Sequence, residues 1–528
     1  MLDKFIKLNN KILKDFKSKE SIVIVDRARP IPTIEASVMI AAIANKKKLK
    51  TIILTDKVYP NLIKIYKSFG YFNFHLVFNT KMIFVNYFMS FLSLIYSLYA
   101  IFFILLFNFE WLIKKYKIKN ILIGDLIYDS YVRNNLSFIK PKIDIKFVRL
   151  LFITNFRFFK IKKFFKKNRV KYLFILTDCY AGNEGISYRI ALKNNIKIYK
   201  IASSDKKIFL TQIRKHQIYH GFMPLHKYFS KNSLISKINI KQKKLNVFLN
   251  KRFNGKIDFG YCSIRDLKNS NKVKKNITKD QLIKKYTNNK EKIKKVVLFA
   301  PHAFSDVPHY LGSFIFRDYF DQFIETTKYI EELKKENILW LIRPHPTSEM
   351  YFEDNLLSSI LKKKEINNLK ICDANYISTK NLIKLCDNVI TGRGSIGLEF
   401  ACFGKKPIIA GASTYSKFDI AVESNSKKEY FENINNVLKI KPLSNKETMF
   451  AKKVLYYVES VYPRKISKSI DNLIFEKKNF SALSNLEKNY EIKKVKTVFT
   501  SKFLSSIKRK SFNKDEAYLF YLRNAKNV

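Results

Sequence analysis

Short apolar runs that end on polar or glycine-bearing loops, and that alternate with helical stretches, constrain this chain more than any other feature. Ser21–Asp26 (SIVIVD) reads as a buried strand, Thr33–Asn45 as a helix, Thr51–Thr55 (TIILT) as a strand, Leu62–Phe69 as a helix and His75–Phe78 as a third strand. Further strands are expected at Asn120–Ile123, Asp144–Phe147, Tyr172–Leu176 and Lys197–Ala202. The pattern resumes at Lys295–Ala300 (KVVLFA), Ile338–Ile342 (ILWLI), Leu369–Cys372, Asn388–Thr391 (NVIT) and Pro407–Ala410. Such alternation predicts an α/β chain with two mostly parallel sheets, each covered by helices on both faces.

Between the two series, Lys227–Lys295 is rich in Lys and Asn and weakly periodic, so the connection is expected there. The organisation expected is an N-terminal domain over 1–226 with an apolar helical stretch at 82–113, a connecting segment over 227–294, a second domain over 295–443, and C-terminal helices over 444–528 that cross back. A chain of 528 residues exceeds one ordinary core. Its 13 glycines and 12 prolines are too few for a sandwich or propeller built from tight turns. Cys179, Cys262, Cys372, Cys386 and Cys402 form no CxxC pair and read as reduced thiols of a cytoplasmic protein, with no metal site. The first twenty residues are charged throughout and lack an apolar signal core, so export is not expected.

The net charge of +57 comes mostly from lysines spread along the whole chain. No recognition motif accompanies it, so nucleic acid is not the expected partner. A basic surface facing anionic lipid, or anionic donors and acceptors, fits better. Met82–Phe109 is a stretch of 28 residues without a charge, flanked by Lys81 and by Glu110, Lys114, Lys115 and Lys117. Three placements are open: a helix or hairpin lying on a membrane, a long buried helix, or a span. Asn86, Ser90, Ser93 and Ser97 give one face a small, polar character. A single span would also divide the strands of one sheet between two sides of a membrane.

Two strand ends carry the chemistry. In NVITGRGSIGLEF a strand ends at Thr391, and Gly392, Gly394 and Gly397 allow the backbone to approach a ligand. A helix is expected from Ser395, which would serve as N-cap and phosphate donor, with Glu399 one turn later for ribose hydroxyls. In ILWLIRPHP a strand runs into Arg343 and into His345, which is braced by Pro344 and Pro346; both side chains suit phosphate. Ligands gather beyond the carboxyl ends of parallel strands. Taken singly, each motif also fits an ordinary strand-to-loop junction.

RPHP followed by TGRGSIGLEFACFGKKPIIAGASTYS resembles the C-terminal halves of bacterial capsule and surface-polysaccharide biosynthesis proteins. These look like GT-B glycosyltransferases and are broadly similar to the capsular Kdo transferases. The resemblance covers about Lys295–Tyr430 and implies two Rossmann-like domains with a cleft between them. It gives His345 and Pro346 a contact with the nucleotide phosphate, and gives Gly394 and Ser395 a part in holding it. Where some families carry a Ser/Thr pair, this chain has one serine, which leaves CMP, UDP and GDP open as the donor nucleotide.

Pro301–His309 (PHAFSDVPH) places His302, Asp306 and His309 within eight residues, and an Asp or His there can act as general base on an acceptor hydroxyl. Asp318 and Tyr319 are weaker candidates. In the N-terminal half the strand-end loops Asp26–Pro30 with Glu35, Gly124–Asp129 and Thr177–Gly185 offer carboxylates and aromatics, with Asp178 as a catalytic candidate and Tyr219–Gly221 ranked lower. The expected activity is glycosyl transfer from a nucleotide sugar, without a metal or further cofactor, to a surface polysaccharide or lipid-linked glycan at the inner face of the membrane. A glycerophosphotransferase, a UDP-sugar 2-epimerase and a non-catalytic assembly protein are the alternatives.

Overall fold

The computed structural model describes residues 18–25, 47–56, 71–135 without 72 and 79, 138–213 without 178, 205 and 206, 225–253 without 228, 229 and 239, and 277–461 without 289, 310, 311, 313, 347, 352, 354 and 373–375, with isolated positions between 40 and 67. These fall into two compact units, one from Met1–Tyr131 and Lys142–Gly221, the other from Val132–Pro141 and Phe222–Tyr462.

The first unit is a six-stranded sheet of β1 (Ser21–Val25), β2 (Lys50–Thr55), β3 (Asn73–Leu76), β4 (Val170–Ile175), β5 (Lys197–Ser204) and β6 (Lys207–Ile213), in the order β3-β2-β1-β4-β5-β6. All neighbours are parallel except β5 and β6. Between β3 and β4 lie α1 (Tyr87–Lys115), α2 (Gly124–Asn135) and α3 (Ile145–Lys167); α4 (Asn183–Lys193) joins β4 to β5. The second sheet is formed by β7 (Lys295–Ala300), β8 (Ile338–Ile342), β9 (Leu369–Ile371), β10 (Asn388–Thr391), β11 (Ile408–Ile409) and β12 (Val422–Glu423), in the order β9-β8-β7-β10-β11-β12 and parallel throughout. Both are the doubly wound 3-2-1-4-5-6 arrangement of Rossmann-like domains. The five residues of β1 and of β8 are all buried, because helices cover both faces of a parallel sheet.

Three expectations change here. Ile121–Leu122 pairs with Lys117–Ile118 in a two-stranded hairpin outside the main sheet. Asp144–Phe147 is the start of α3: Asp144 caps it by accepting from the Phe147 N–H at 2.8 Å, and Phe147, Leu151, Phe158 and Phe165 then recur on its buried face at helical spacing. The described parts of 227–294 are not a bare connection. Leu234 and, on α5 (Gln242–Phe253), Leu245, Phe248 and Leu249 join a core in the second unit with Phe418, Phe450 and Tyr456, and the helix Asn445–Tyr456 packs there as well. The apolar stretch at 82–109 is not fully buried, and in chain order it lies between two strands of one sheet, β3 and β4. Its first residues belong to a short helix, Thr80–Val85, and from Tyr87 it forms α1, which is kinked at Asn108 (φ 62°), with Ser93, Ser97, Ala100 and Ile104 buried against the protein and Phe91, Leu98 and Phe102 exposed.

Candidate functional site

In the second unit, α6 (Tyr319–Leu333) follows β7, and α7 (Ser395–Ala401) follows β10. β7 pairs with β8 on one side and β10 on the other. The chain leaves these two strands in opposite directions, and the crevice beyond their carboxyl ends is where such sheets take ligands. His302 stands two residues past the end of β7, and Gly392 directly follows β10.

The two loops are tied together by the Arg393 N–H, which donates to His302 Nε2 at 3.3 Å. Because Nε2 accepts, a neutral His302 carries its proton on Nδ1. Its ring lies on Tyr319, with centroids 4.2 Å and planes 12° apart, and faces the His345 ring at 6.1 Å and 15°. Burial, with the charges of His345 and Arg393, holds His302 well below its ordinary range. Burial also lowers His345, against the opposing pull of the Asp306 carboxylate. Both rings are therefore neutral near pH 7, acting as hydrogen-bonding groups rather than cations.

The loop after β7 is held from beneath by Glu353, which accepts from the N–H groups of Phe304 (2.8 Å) and Ser305 (2.9 Å) and from Ser305 Oγ (2.9 Å). Burial outweighs these three bonds and, with the nearby Asp306, pushes the Glu353 carboxyl up to about 7. Within the loop, Val307 adopts φ 42°, a strained conformation for a β-branched residue. His309 Nε2 donates to the Arg317 carbonyl at 2.8 Å and fastens the far end of the loop. Asp318 is buried and caps α6 while pairing with Arg317 at 3.0 Å, so its place is structural.

On the facing loop, a methyl group on Gly392 would come within 2.9 Å of Gln322 Oε1 and 3.1 Å of the His302 ring; one on Gly397 would meet Tyr415 Oη at 2.0 Å. Glycine at 397 thus lets Tyr415 cross α7 and donate to the Gly394 carbonyl at 2.8 Å. The N-cap of α7 is Gly394 rather than the expected Ser395. Gly394 holds the extended conformation (φ −64°, ψ 151°) of a cap residue, and Ser395, in the first turn, is exposed.

Arg343 donates one N–H to the Ile377 carbonyl at 2.6 Å, and the His345 carbonyl accepts from the Ser348 N–H at 3.0 Å, closing the turn that contains Pro346. Glu399 stands apart from the histidines: its carboxylate pairs with Arg252, which also reaches Glu459 at 3.1 Å. The structure therefore brings His302, Asp306, His345, Gly392 and Gly394 to one crevice and turns Glu399 toward Arg252. Glu353 and Gln322 were invisible in the sequence because no motif marks them. Tyr415 lies within the stretch that carries the resemblance, but only Gly397, inside a helix, hinted at its contact.

In the first unit, Asp178 and the loops Asp26–Pro30 with Glu35 and Tyr219–Gly221 lie outside the described residues. Gly124–Asp129 is not a loop but the first turns of α2, where Asp125 pairs with Arg189 at 2.7 Å, both side chains nearly buried. Among the described residues no group of three or more His, Cys, Asp or Glu is placed to hold a metal ion.

No family model matches the chain, and no curated protein does so. Among solved structures similar to it is the β-Kdo 2,4-transferase KpsC of Thermosulfurimonas dismutans, at 9% identity over 54% of this chain and 79% of that one, with a TM-score of 0.30. Staphylococcus aureus MnaA, solved with UDP, is 10% identical over 87% and 97%, with a TM-score of 0.29. The UDP-GlcNAc 2-epimerase of Methanocaldococcus jannaschii is 13% identical over 83% and 99%, with a TM-score of 0.25.

Proposed function

We propose that this protein is a glycosyltransferase whose nucleotide-sugar donor is held at the loops after β7, β8 and β10. The observation that supports this most is the parallel, neutral pair His302 and His345 at the switch point of the second sheet. A neutral imidazole keeps one ring N–H, which can donate a hydrogen bond to a phosphate oxygen. Nδ1–H of His302 and the ring of His345 take this role, joined by the hydroxyl and N–H of Ser395 and by Arg343. Gly392 and Gly394 leave room for the phosphate to approach. These dipoles are in place before charge builds up on the leaving phosphate, as electrostatic catalysis requires.

Asp306 is half-exposed and close enough to act electrostatically on His345. In the proposed reaction it takes the proton of the acceptor hydroxyl as the oxygen attacks the anomeric carbon. The bond from that carbon to the phosphate oxygen breaks, and its electron pair stays on the phosphate. The acceptor is a growing surface polysaccharide or a lipid-linked saccharide at the inner face of the membrane, and the protein works from the cytoplasmic side.

The test is thermal stabilisation by CMP, UDP and GDP, each with and without Mg²⁺, followed by product analysis with and without a glycan acceptor. One nucleotide is expected to stabilise the protein, and His302→Ala and His345→Ala are each expected to weaken that binding at least about tenfold. Because both rings are already neutral, the affinity should change little as pH falls from 8 to 7. Stabilisation by none of the three would overturn the donor site, and conversion of the donor without an acceptor would make the protein an epimerase.

A further inference from the structure

Most of the large apolar side chains that are exposed among the described residues sit on α1 or just before it. Phe91, Ile95, Leu98, Phe102 and Leu105 follow one another at helical spacing along a single stripe, with Leu98 58% and Leu105 73% exposed. The opposite side of α1 is committed to the fold: Asn155 of α3 donates to Ser97 Oγ at 3.0 Å, and Tyr116 Oη donates to Asn155 Oδ1 at 2.9 Å. The helix cannot cross a bilayer from this position, since the chain before it supplies β3 and the chain after it supplies β4 of the same sheet. A stripe of this size on a soluble surface marks an interaction site.

Beside the N-terminal half of α1 lies a cavity of about 940 Å³ that continues the stripe through Phe88 and Leu92. Apolar side chains such as Phe159 and Phe165 share its wall with six cations, Lys119, Lys162, Lys163, Lys166, Arg169 and Lys171, opposed by the single carboxylate of Glu20, which pairs with Lys171 at 3.0 Å. A second cavity of about 470 Å³ shares Met89 and Lys163 with it and adds Lys160 and Lys167. An apolar stripe bordered by a band of cations is the pattern of a helix lying in the headgroup region of an anionic bilayer. A protein partner would suit the stripe, but it would leave this cationic hollow without a counter-charge.

We infer that α1 and the lysine-lined cavity beside it form a docking surface for an anionic lipid bilayer, with the stripe in the acyl boundary and an anionic headgroup in the cavity. This deepens the proposed function by naming how the protein is held at the membrane. It is read without turnover, so the two can fail separately.

The experiment is co-sedimentation of the full chain with vesicles of phosphatidylglycerol and phosphatidylcholine, compared with pure phosphatidylcholine. Binding is expected to the anionic vesicles and to fall in high salt. Leu98→Glu with Phe102→Glu should weaken it at least about tenfold, and Lys162→Ala, Lys163→Ala and Lys166→Ala by about fivefold for each lysine removed. All five positions belong to the first unit, whereas the proposed nucleotide site is built by the second, so nucleotide stabilisation should persist and show that the variants are folded. Equal binding to both vesicle types, or undiminished binding by the glutamate variant, overturns the proposal. So does a wild-type dimer that the glutamate variant dissolves without lipid, which would make a second copy the occupant.

Discussion

In each unit the fourth strand of the doubly wound order runs into a helix capped by glycine, β4 into α4 behind Gly182 and β10 into α7 behind Gly394. The turns are filled differently. After β4, Glu184 folds back from the first turn of α4 and accepts from the N–H groups of Leu176 (2.6 Å) and Thr177 (3.1 Å). The carboxylate that such a turn attracts is supplied by the protein itself. After β10 no carboxylate among the described residues folds back in this way: Ser395 is exposed, and His302 approaches from the first strand's loop. One topology thus yields a closed turn and an open one, and the open turn is the one proposed to take the donor phosphate.

The largest effect should come from closing the glycine contact that shapes the open turn. Gly397→Ala sets a methyl group 2.0 Å from Tyr415 Oη, and Tyr415 is fully buried and hydrogen-bonded, so it has no room to yield. Destabilisation of about 3 kcal/mol is expected in thermal or urea unfolding, with loss of nucleotide binding. Adding Tyr415→Phe removes the clashing oxygen and should restore part of the loss. Failure of that rescue would mean that Tyr415 does not set the turn.

The buried carboxylates sharpen the contrast. Glu353, like Glu184, accepts two backbone N–H groups at a strand-end loop, yet burial raises it to about 7. A carboxyl raised above its ordinary value of 4.5 favours the folded state fully below that pH, and its contribution is lost as pH rises through about 7. The unit should therefore lose up to roughly 3 kcal/mol between pH 4.5 and 8 on this account, an upper bound from the linkage relation. Glu353→Gln, which cannot ionise, should flatten that part of the pH profile of Tm. A profile unchanged in the variant would refute the assignment. Glu184→Ala should cost about 2 kcal/mol by stranding two N–H groups, and it should leave nucleotide affinity alone because its turn is already closed.

Both sheets were legible in the sequence because runs such as SIVIV, KVVLFA and ILWLI are apolar on both faces, a pattern that parallel strands under two helical layers require. Asp144–Phe147 was misread because four residues cannot separate a strand from the start of a helix, and only the longer spacing through Phe165 does so. The segment from 227 was misread because its Lys and Asn content hides the few leucines that reach the core. Strand-end position and glycine spacing pointed to His302, His345 and Gly392, which the structure gathers beyond the ends of β7, β8 and β10. The support from Glu353 stayed hidden because it comes from a residue 48 positions beyond the loop it holds. The cap was assigned one residue late because serine is the commoner cap type, while here glycine takes the extended conformation.

The smallest predicted effect on stability is the most discriminating for the comparison. Gly182 and Gly394 share a role and an extended conformation, at φ −87°, ψ −175° and φ −64°, ψ 151°. Alanine fits either backbone, and the cap preference it loses is offset by the flexibility it removes from the unfolded chain, so each substitution should change stability by less than about 1 kcal/mol. Their surroundings differ: a methyl group on Gly182 meets nothing within 4 Å, whereas one on Gly394 stands 3.0 Å from Thr391 Oγ1 and 3.5 Å from His302 Nε2. Gly394→Ala should therefore occupy space needed by the phosphate and weaken nucleotide stabilisation about tenfold, while Gly182→Ala leaves it unchanged. Equal losses in both variants would make the two turns equivalent and remove the reason for placing the donor in the second.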